Sequence, residues 1–254
     1  MIDLTDHWAL VTGGARGIGR ACALRLAEAG ANVVVNYVTS RQAAMSVAKE
    51  IVDLGREAIV VKADVSEEDD IESMVEFIDQ RVGRLDILVS NAASGGFRTL
   101  LDSTPHHLRA VMQINVLPLI TLTRASVHLL ERGPHRGKVV ALSSHGAESA
   151  LPFYGLIGGS KAALESIARH LALEVGPRGV NVNVVRAGLV ETDSTRRLPG
   201  GDRMFAGRTS RGLTGERVLE AEDVANAVLW LASPLSDLVQ GATITVDGGT
   251  GICV

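Results

Sequence analysis

Two rhythms of apolar residues alternate along the chain. Short runs rich in Val, Ile and Leu at 9–12, 32–36, 57–62, 87–90, 138–142, 181–185 and 243–246 read as strands. Between them, apolar residues recur at helical spacing and predict helices over 18–29, 40–54, 68–82, 105–130, 154–174 and 221–231. Val75, Ile78 and Val82 share one face of the third helix. Gly30, Gly55 and Gly83 stand where the first three helices should stop in a left-handed cap. Strands alternating with helices predict an α/β fold: a single-domain, Rossmann-type doubly wound sheet of about seven parallel strands with helices on both faces. One stretch breaks the rhythm. From 187 to about 215 the chain is rich in Gly, Arg and Thr with weak periodicity, as expected of a substrate-binding loop or lid over the carboxyl ends of the strands.

Composition narrows the function. The 254 residues are 46% hydrophobic but only 3% aromatic, so the core must be mostly Val, Leu, Ile and Ala, the mix that buried parallel strands favour. A net charge of −4 argues against a nucleic-acid partner and gives no reason to invoke a membrane. Cys22 and Cys253 have no metal-type spacing, and Cys22 falls in a predicted helix as a small buried hydrophobe. The first residues lack a basic stretch followed by an apolar one, so a cytoplasmic, thiol-reduced protein is expected.

The first strand runs into Thr12-Gly13-Gly14-Ala15-Arg16-Gly17-Ile18-Gly19. Glycines in such a strand-turn-helix allow a tight bend and let the backbone approach a pyrophosphate on the helix N-terminus. At the end of the second strand an NAD enzyme would carry an acid for the ribose 2′-hydroxyl. This chain has Asn36-Tyr37 instead, with Arg16 in the turn and Arg41 just beyond the strand, which suits the 2′-phosphate of NADP(H).

The spacing G-x-x-x-G-x-G, Asp64-Val65 after the third strand, Asn91-Ala92-Ala93 after the fourth and Val246-Asp247-Gly248-Gly249 near the end together resemble the short-chain dehydrogenase/reductase family over almost the whole chain. The resemblance implies that Gly13, Gly14, Arg16, Gly17, Ile18, Gly19, Asn36, Arg41, Asp64, Val65, Asn91, Ala92, Lys161, Gly188 and Thr192 hold the dinucleotide. In it Asp64 would bond the adenine, Asn91 would stabilise the central strand, and Thr192 would contact the carboxamide or pyrophosphate.

The catalytic segment departs from the family pattern. Gly159-Ser160-Lys161-Ala162-Ala163-Leu164 looks like the family's active-site helix, but the position four before Lys161 is Ile157, and a tyrosine stands at Tyr154 instead. On a continuous helix, positions four and seven before a lysine both project within about 40° of it, the latter about 4.5 Å farther along the axis. A donor displaced in this way suits conjugate reduction, where hydride lands on C3 while the oxyanion grows on C1. Tyr-x6-Lys is similar to enoyl-acyl carrier protein reductases, above all the bacterial type III, NADPH-dependent enzymes, and Arg186-Ala187-Gly188, in place of the usual Pro-Gly, is similar to them too.

That resemblance implies Tyr154 as donor to the enolate, Lys161 on the nicotinamide ribose, Ser144 orienting the carbonyl and Asn115 supporting a water chain toward the lysine. His145 beside Ser144 is discounted as a Ser-His pair, since neighbours in a strand point to opposite faces. Arg196, Arg197, Arg203, Arg208 and Arg211 make a basic lid, fit for an acidic acyl carrier protein or the phosphate of its arm. A homotetramer is the family's usual assembly. Two alternatives stay open: a keto- or alcohol oxidoreductase with a shifted tyrosine, and a non-catalytic NADP-binding relative.

Overall fold

The computed structural model describes residues 2–207 and 212–252. The seven apolar runs become seven strands: β1 (Trp8–Val11), β2 (Asn32–Tyr37), β3 (Ala58–Lys62), β4 (Ile87–Ser90), β5 (Gly137–Ser144), β6 (Val180–Ala187) and β7 (Thr243–Val246). All pair in parallel, in the order β3-β2-β1-β4-β5-β6-β7. The described helices are α1 (Gly17–Glu28), α2 (Arg41–Asp53), α3 (Glu68–Val82), α4 (Pro105–Asn115), α5 (Leu117–Leu130), α6 (Gly155–Val175), α7 (Gly201–Ala206) and α8 (Ala221–Ala232).

Alternate strand residues feed two cores. Val11, Val33, Val35 and Val89 pack with Leu26, Ile51 and Val228 under α1, α2 and α8. Leu10, Val34, Leu88 and Val139 pack with Ile78, Leu122 and Leu164 under α3, α5 and α6. Both faces are buried, which is why the strands read as unbroken apolar runs. Cys22 lies fully buried in the first core, and burial pushes its thiol up to about 12, as fits an inert packing residue. Cys253 lies outside the described residues, as do Arg208 and Arg211.

The expected helix over 105–130 is two helices. Pro118 has no N–H to continue the ladder, and its ring excludes the carbonyl four residues back. The chain therefore leaves helical geometry at Val116 (φ −116°, ψ −53°) and restarts with proline in the first turn of α5. This stretch, Pro105–Leu130, is long and apolar enough to weigh as a membrane span, yet it is broken and more than half buried within the fold. The expected lid also holds some structure: a short 3-10 turn at Thr195–Arg197 and then α7.

Two consequences of the topology position the site. The strand order reverses between β1, which pairs with β2 on one side, and β4 on its other, opening a crevice at their carboxyl ends. Strands β5 and β6 also run two residues past their expected ends. Their register sets Ser144 opposite Ala187, and Ala187 opposite Val246 of β7. Three loop origins thus lie side by side.

Candidate active site

The glycine turn and the crevice form a cleft of about 620 Å³. Gly13 turns with φ +61°, and the turn is locked from β4: Thr12 Oγ1 accepts the Asn91 and Ala92 amides at 3.0 and 3.1 Å, while Asn91 Nδ2 donates to the Thr12 carbonyl at 2.9 Å. A side chain at Gly19 would drive its Cβ into the Gly13 carbonyl and the Asn91 amide, so only glycine lets α1 seat this close. Arg16, at the N-cap of α1, places no side-chain acceptor on the first-turn amides, and no acid lies in that turn. An uncapped helix N-terminus opening into a cleft fits a dinucleotide pyrophosphate.

Gly13, Arg16, Gly17, Ile18, Gly19, Asn91, Ala92, Lys161, Gly188 and Thr192 all line this cleft. Gly14 lies beneath it: its amide donates to the Asn36 carbonyl, and a Cβ there would press on Val11 and Val35. Thr192 bonds Thr195 through its amide (2.8 Å) and hydroxyl (3.1 Å), so it shapes the turn at the start of the lid.

Asn36 requires a correction. It is fully buried, with Oδ1 accepting from the Gly13 amide (3.2 Å) and Nδ2 donating to the Ala63 carbonyl (2.9 Å). It braces the turn against β2 and β3 and cannot reach a ligand. Val65 is likewise buried, in the core under α3. Asp64 accepts from the Ser66 amide and hydroxyl, and neither it nor Arg41 lies in the cleft lining. Arg41 is exposed on the first turn of α2, next to Ser40, which does line the cleft. Tyr37, which follows Asn36 at the strand end, lines the cleft, and so do Val38 and Thr39, which no motif marked. Together with Ser40 they form a β2 rim without a carboxylate. Their signal was position alone, directly after Asn36.

Lys161 is 6% exposed in α6, and its Nζ donates to the Leu142 carbonyl at 2.7 Å. Burial brings its ammonium down from 10.5 to about 8, against an upward pull from Glu165 one turn on. Glu165 is itself held by Arg186 at 2.5 and 2.9 Å and by the Ser143 hydroxyl at 2.6 Å, a buried knot joining α6 to β5 and β6.

Tyr154 departs from the continuous-helix expectation. It is the N-cap of α6, with φ −104° and ψ 1°, preceded by Phe153 at φ +61°. Helical phase alone therefore does not set the direction of its side chain. The ring stacks on Phe97 with centroids 6.1 Å apart, and the hydroxyl donates to Ser144 Oγ at 3.2 Å. Burial pushes the phenol up, so it remains neutral, the Ser144 hydrogen bond acting weakly the other way. The glycines of this segment have packing reasons: a Cβ at Gly146 would meet the Tyr154 ring at 2.5 Å, and one at Gly158 would strike the Gly146 carbonyl.

Asn115 accepts from the Ser94 amide at 2.9 Å and donates to Ser160 Oγ at 3.0 Å. The break at Val116 leaves it at the end of α4, tying the loop after β4 to α6. Its side-chain amide thus acts as a strut between the two segments.

A second cavity, of about 510 Å³, opens beyond Ser144 and Tyr154. Phe97, Leu151, Leu189, Leu198, Met204 and Leu219 give it apolar walls. Phe97, Ser144, Tyr154, Gly188 and Thr195 line both cavities and mark the seam between them. The site therefore joins an anion-ready nucleotide cleft to an apolar chamber, with the hydroxyls of Ser144, Tyr154 and Thr195 at the junction.

The family described as Enoyl-(Acyl carrier protein) reductase matches residues 13–251. The chain belongs to the short-chain dehydrogenase/reductase superfamily. This short-chain oxidoreductase is 37% identical to the 1-cyclohexenylcarbonyl-CoA reductase of Streptomyces collinus, over 96% of this chain and 86% of that protein. It is 34% identical to the hydroxynaphthalene reductase arp2 of Aspergillus fumigatus, over 94% of this chain and 90% of that one. A short-chain dehydrogenase from Burkholderia cenocepacia J2315, solved in complex with NADP, superposes with a TM-score of 0.88 at 34% identity, covering 97% of this chain and 98% of that one.

Proposed function

We propose that this short-chain oxidoreductase uses NADP(H) to reduce the C2–C3 double bond of an enoyl thioester. One observation carries the proposal: Ile157 fills the α6 position one turn before Lys161, while the Tyr154 hydroxyl is bonded to Ser144 at the seam of cleft and chamber. The glycine turn, the uncapped α1 and Lys161 would hold the dinucleotide. Arg16, well exposed and only loosely paired with Asp193 at 3.8 Å, together with Arg41 and the acid-free β2 rim, favours a 2′-phosphate. The reduced nicotinamide supplies hydride to C3.

The chain's own residues answer the charge that then develops on the C1 oxygen. Tyr154 and Ser144 carry two hydroxyl protons and use one between them, which leaves the other for the thioester oxygen. Such a donor, fixed before reaction in a water-poor site, stabilises an enolate strongly. A neutral phenol suits this role. The Lys161 cation lines the same cleft and favours negative charge there. The apolar chamber takes the acyl group. An acyl carrier protein or coenzyme A is the proposed carrier, its acidic groups meeting the exposed Arg196, Arg197 and Arg203 of the lid. The name of the Streptomyces relative supports the enoyl substrate. The name of the Aspergillus relative favours a second reading, reduction of a ring carbonyl with a shifted tyrosine.

NADPH consumption with crotonyl and acetoacetyl thioesters separates the two. Turnover of the crotonyl substrate is expected, with kcat falling about a hundredfold in Tyr154→Phe. Turnover of the acetoacetyl substrate alone would sink the enoyl proposal.

A further inference from the structure

We infer that His145 is a positioning residue that clasps the catalytic loop to the far wall of the acyl chamber and, through that wall, to the returning end of the lid. The inference rests on the enoyl proposal only for the substrate used in its kinetic test.

His145 follows Ser144 directly and opens the 3-10 turn His145–Ala147. Its ring points away from Ser144 and toward the segment after β7, where Nε2 lies 2.9 Å from Asp247 Oδ2. His145 Nε2 is buried, and the carboxylate of Asp247 is the acidic group it faces. The side chains are 19% and 10% exposed, so the contact is sheltered from solvent.

Asp247 is the centre of its own loop. Oδ1 accepts the Gly249 amide at 2.8 Å and Oδ2 the Gly251 amide at 2.7 Å. A Cβ at Gly188 would fall 2.9 Å from the Asp247 Cβ, so glycine at the end of β6 is what lets Asp247 approach. Beside it, the Gly248 carbonyl accepts the Leu213 amide at 2.8 Å, and a Cβ at Gly249 would touch the Leu213 side chain at 3.0 Å. A continuous set of contacts therefore runs from Ser144 through His145, Asp247 and Gly248 to Leu213. His145, Asp247, Gly248, Gly251, Gly212 and Thr214 all line the chamber. The clasp fixes the width of the chamber at the point where the reacting hydroxyls enter it.

The test joins two readouts on the full-length protein. In His145→Ala, KM for crotonyl thioester should rise about tenfold with a smaller change in kcat, and NADPH should bind as in wild type. Hydrogen exchange of the segments 212–219 and 246–252 should quicken while that of β1 and α1 stays the same. Asp247→Asn should give the same pattern, and the double variant should be no worse than the worse single one. Should His145→Ala fail to fold, His145→Gln, which keeps a side-chain donor, should fold and show part of the KM rise.

Unchanged exchange and unchanged KM would overturn the clasp. A fall in kcat at constant KM and exchange would also overturn it, by assigning His145 to the reacting atoms. If the wild type turns over no enoyl thioester but exchange still quickens in the variants, the enoyl proposal fails and the clasp stands.

Discussion

Lys161 should lose its charge near pH 8, and with it the enzyme's grip on its nucleotide. The cause is its 6% exposure, since burial lowers the ammonium from 10.5 to about 8 despite Glu165. A shift of that size corresponds to about 3 kcal/mol of bias against the cation. About a tenth of the free enzyme is then neutral at Lys161 at pH 7, about half at pH 8 and about nine-tenths at pH 9. Because kcat/KM reports the free enzyme, kcat/KM for NADPH should fall with unit slope above about pH 8. In Glu165→Gln, which removes the upward pull, the limb should move to lower pH.

Stability should run the other way. A lysine with a depressed folded-state value contributes stability above its unfolded value of 10.5, which is lost as pH falls through about 8. Lys161→Met should therefore unfold at higher temperature than wild type at pH 7 while losing the alkaline limb and most activity. A limb that stays near pH 10, or a Lys161→Met protein less stable than wild type at pH 7, refutes this account of the lysine.

Two further outcomes follow from buried polar groups. Asn36→Ala strands the Gly13 amide and the Ala63 carbonyl, so it should cost about 1–3 kcal/mol in urea denaturation while leaving the ratio of NADPH to NADH affinity unchanged. A change in that ratio would return Asn36 to the ligand. Arg186→Met leaves Glu165 buried without its partner and should cost about 3–5 kcal/mol, seen as a fall of about 10 °C in Tm, largely recovered in Arg186→Met/Glu165→Leu. A loss below about 1 kcal/mol would show the pair to be dispensable.

The strands were legible because both faces of the sheet are buried, so Val33-Val34-Val35 needs no tertiary context to declare itself. Where a strand ends in polar residues the signal fails. Ser143 and Arg186 belong to β5 and β6 because Glu165, far off in sequence, absorbs their polarity, and Ser144 finds its partner in Tyr154. The break at Val116 had a visible cause in Pro118, masked by apolar periodicity that continues across it.

The candidate site divides in the same way. The glycine turn, Asn91 and Lys161 are set by local motifs, and they meet in one cleft. Asn36 is polar at a strand end whether it faces a ligand or braces a turn, and only its zero exposure decides. Tyr154 caps α6 with ψ 1° and follows a bend at Phe153, φ +61°, so helical phase alone does not place its ring. The pairing of His145 with Asp247 depends on the adjacency of β5, β6 and β7, which no local pattern encodes.

The most direct test of the central claim follows the label from NADPH carrying deuterium at the transferred position of the nicotinamide. With crotonyl thioester, the expected product is the saturated butyryl thioester with deuterium on C3, formed in step with NADPH oxidation. Deuterium found only on the carbinol carbon of a hydroxyacyl product, made from acetoacetyl thioester while crotonyl thioester is untouched, would contradict it.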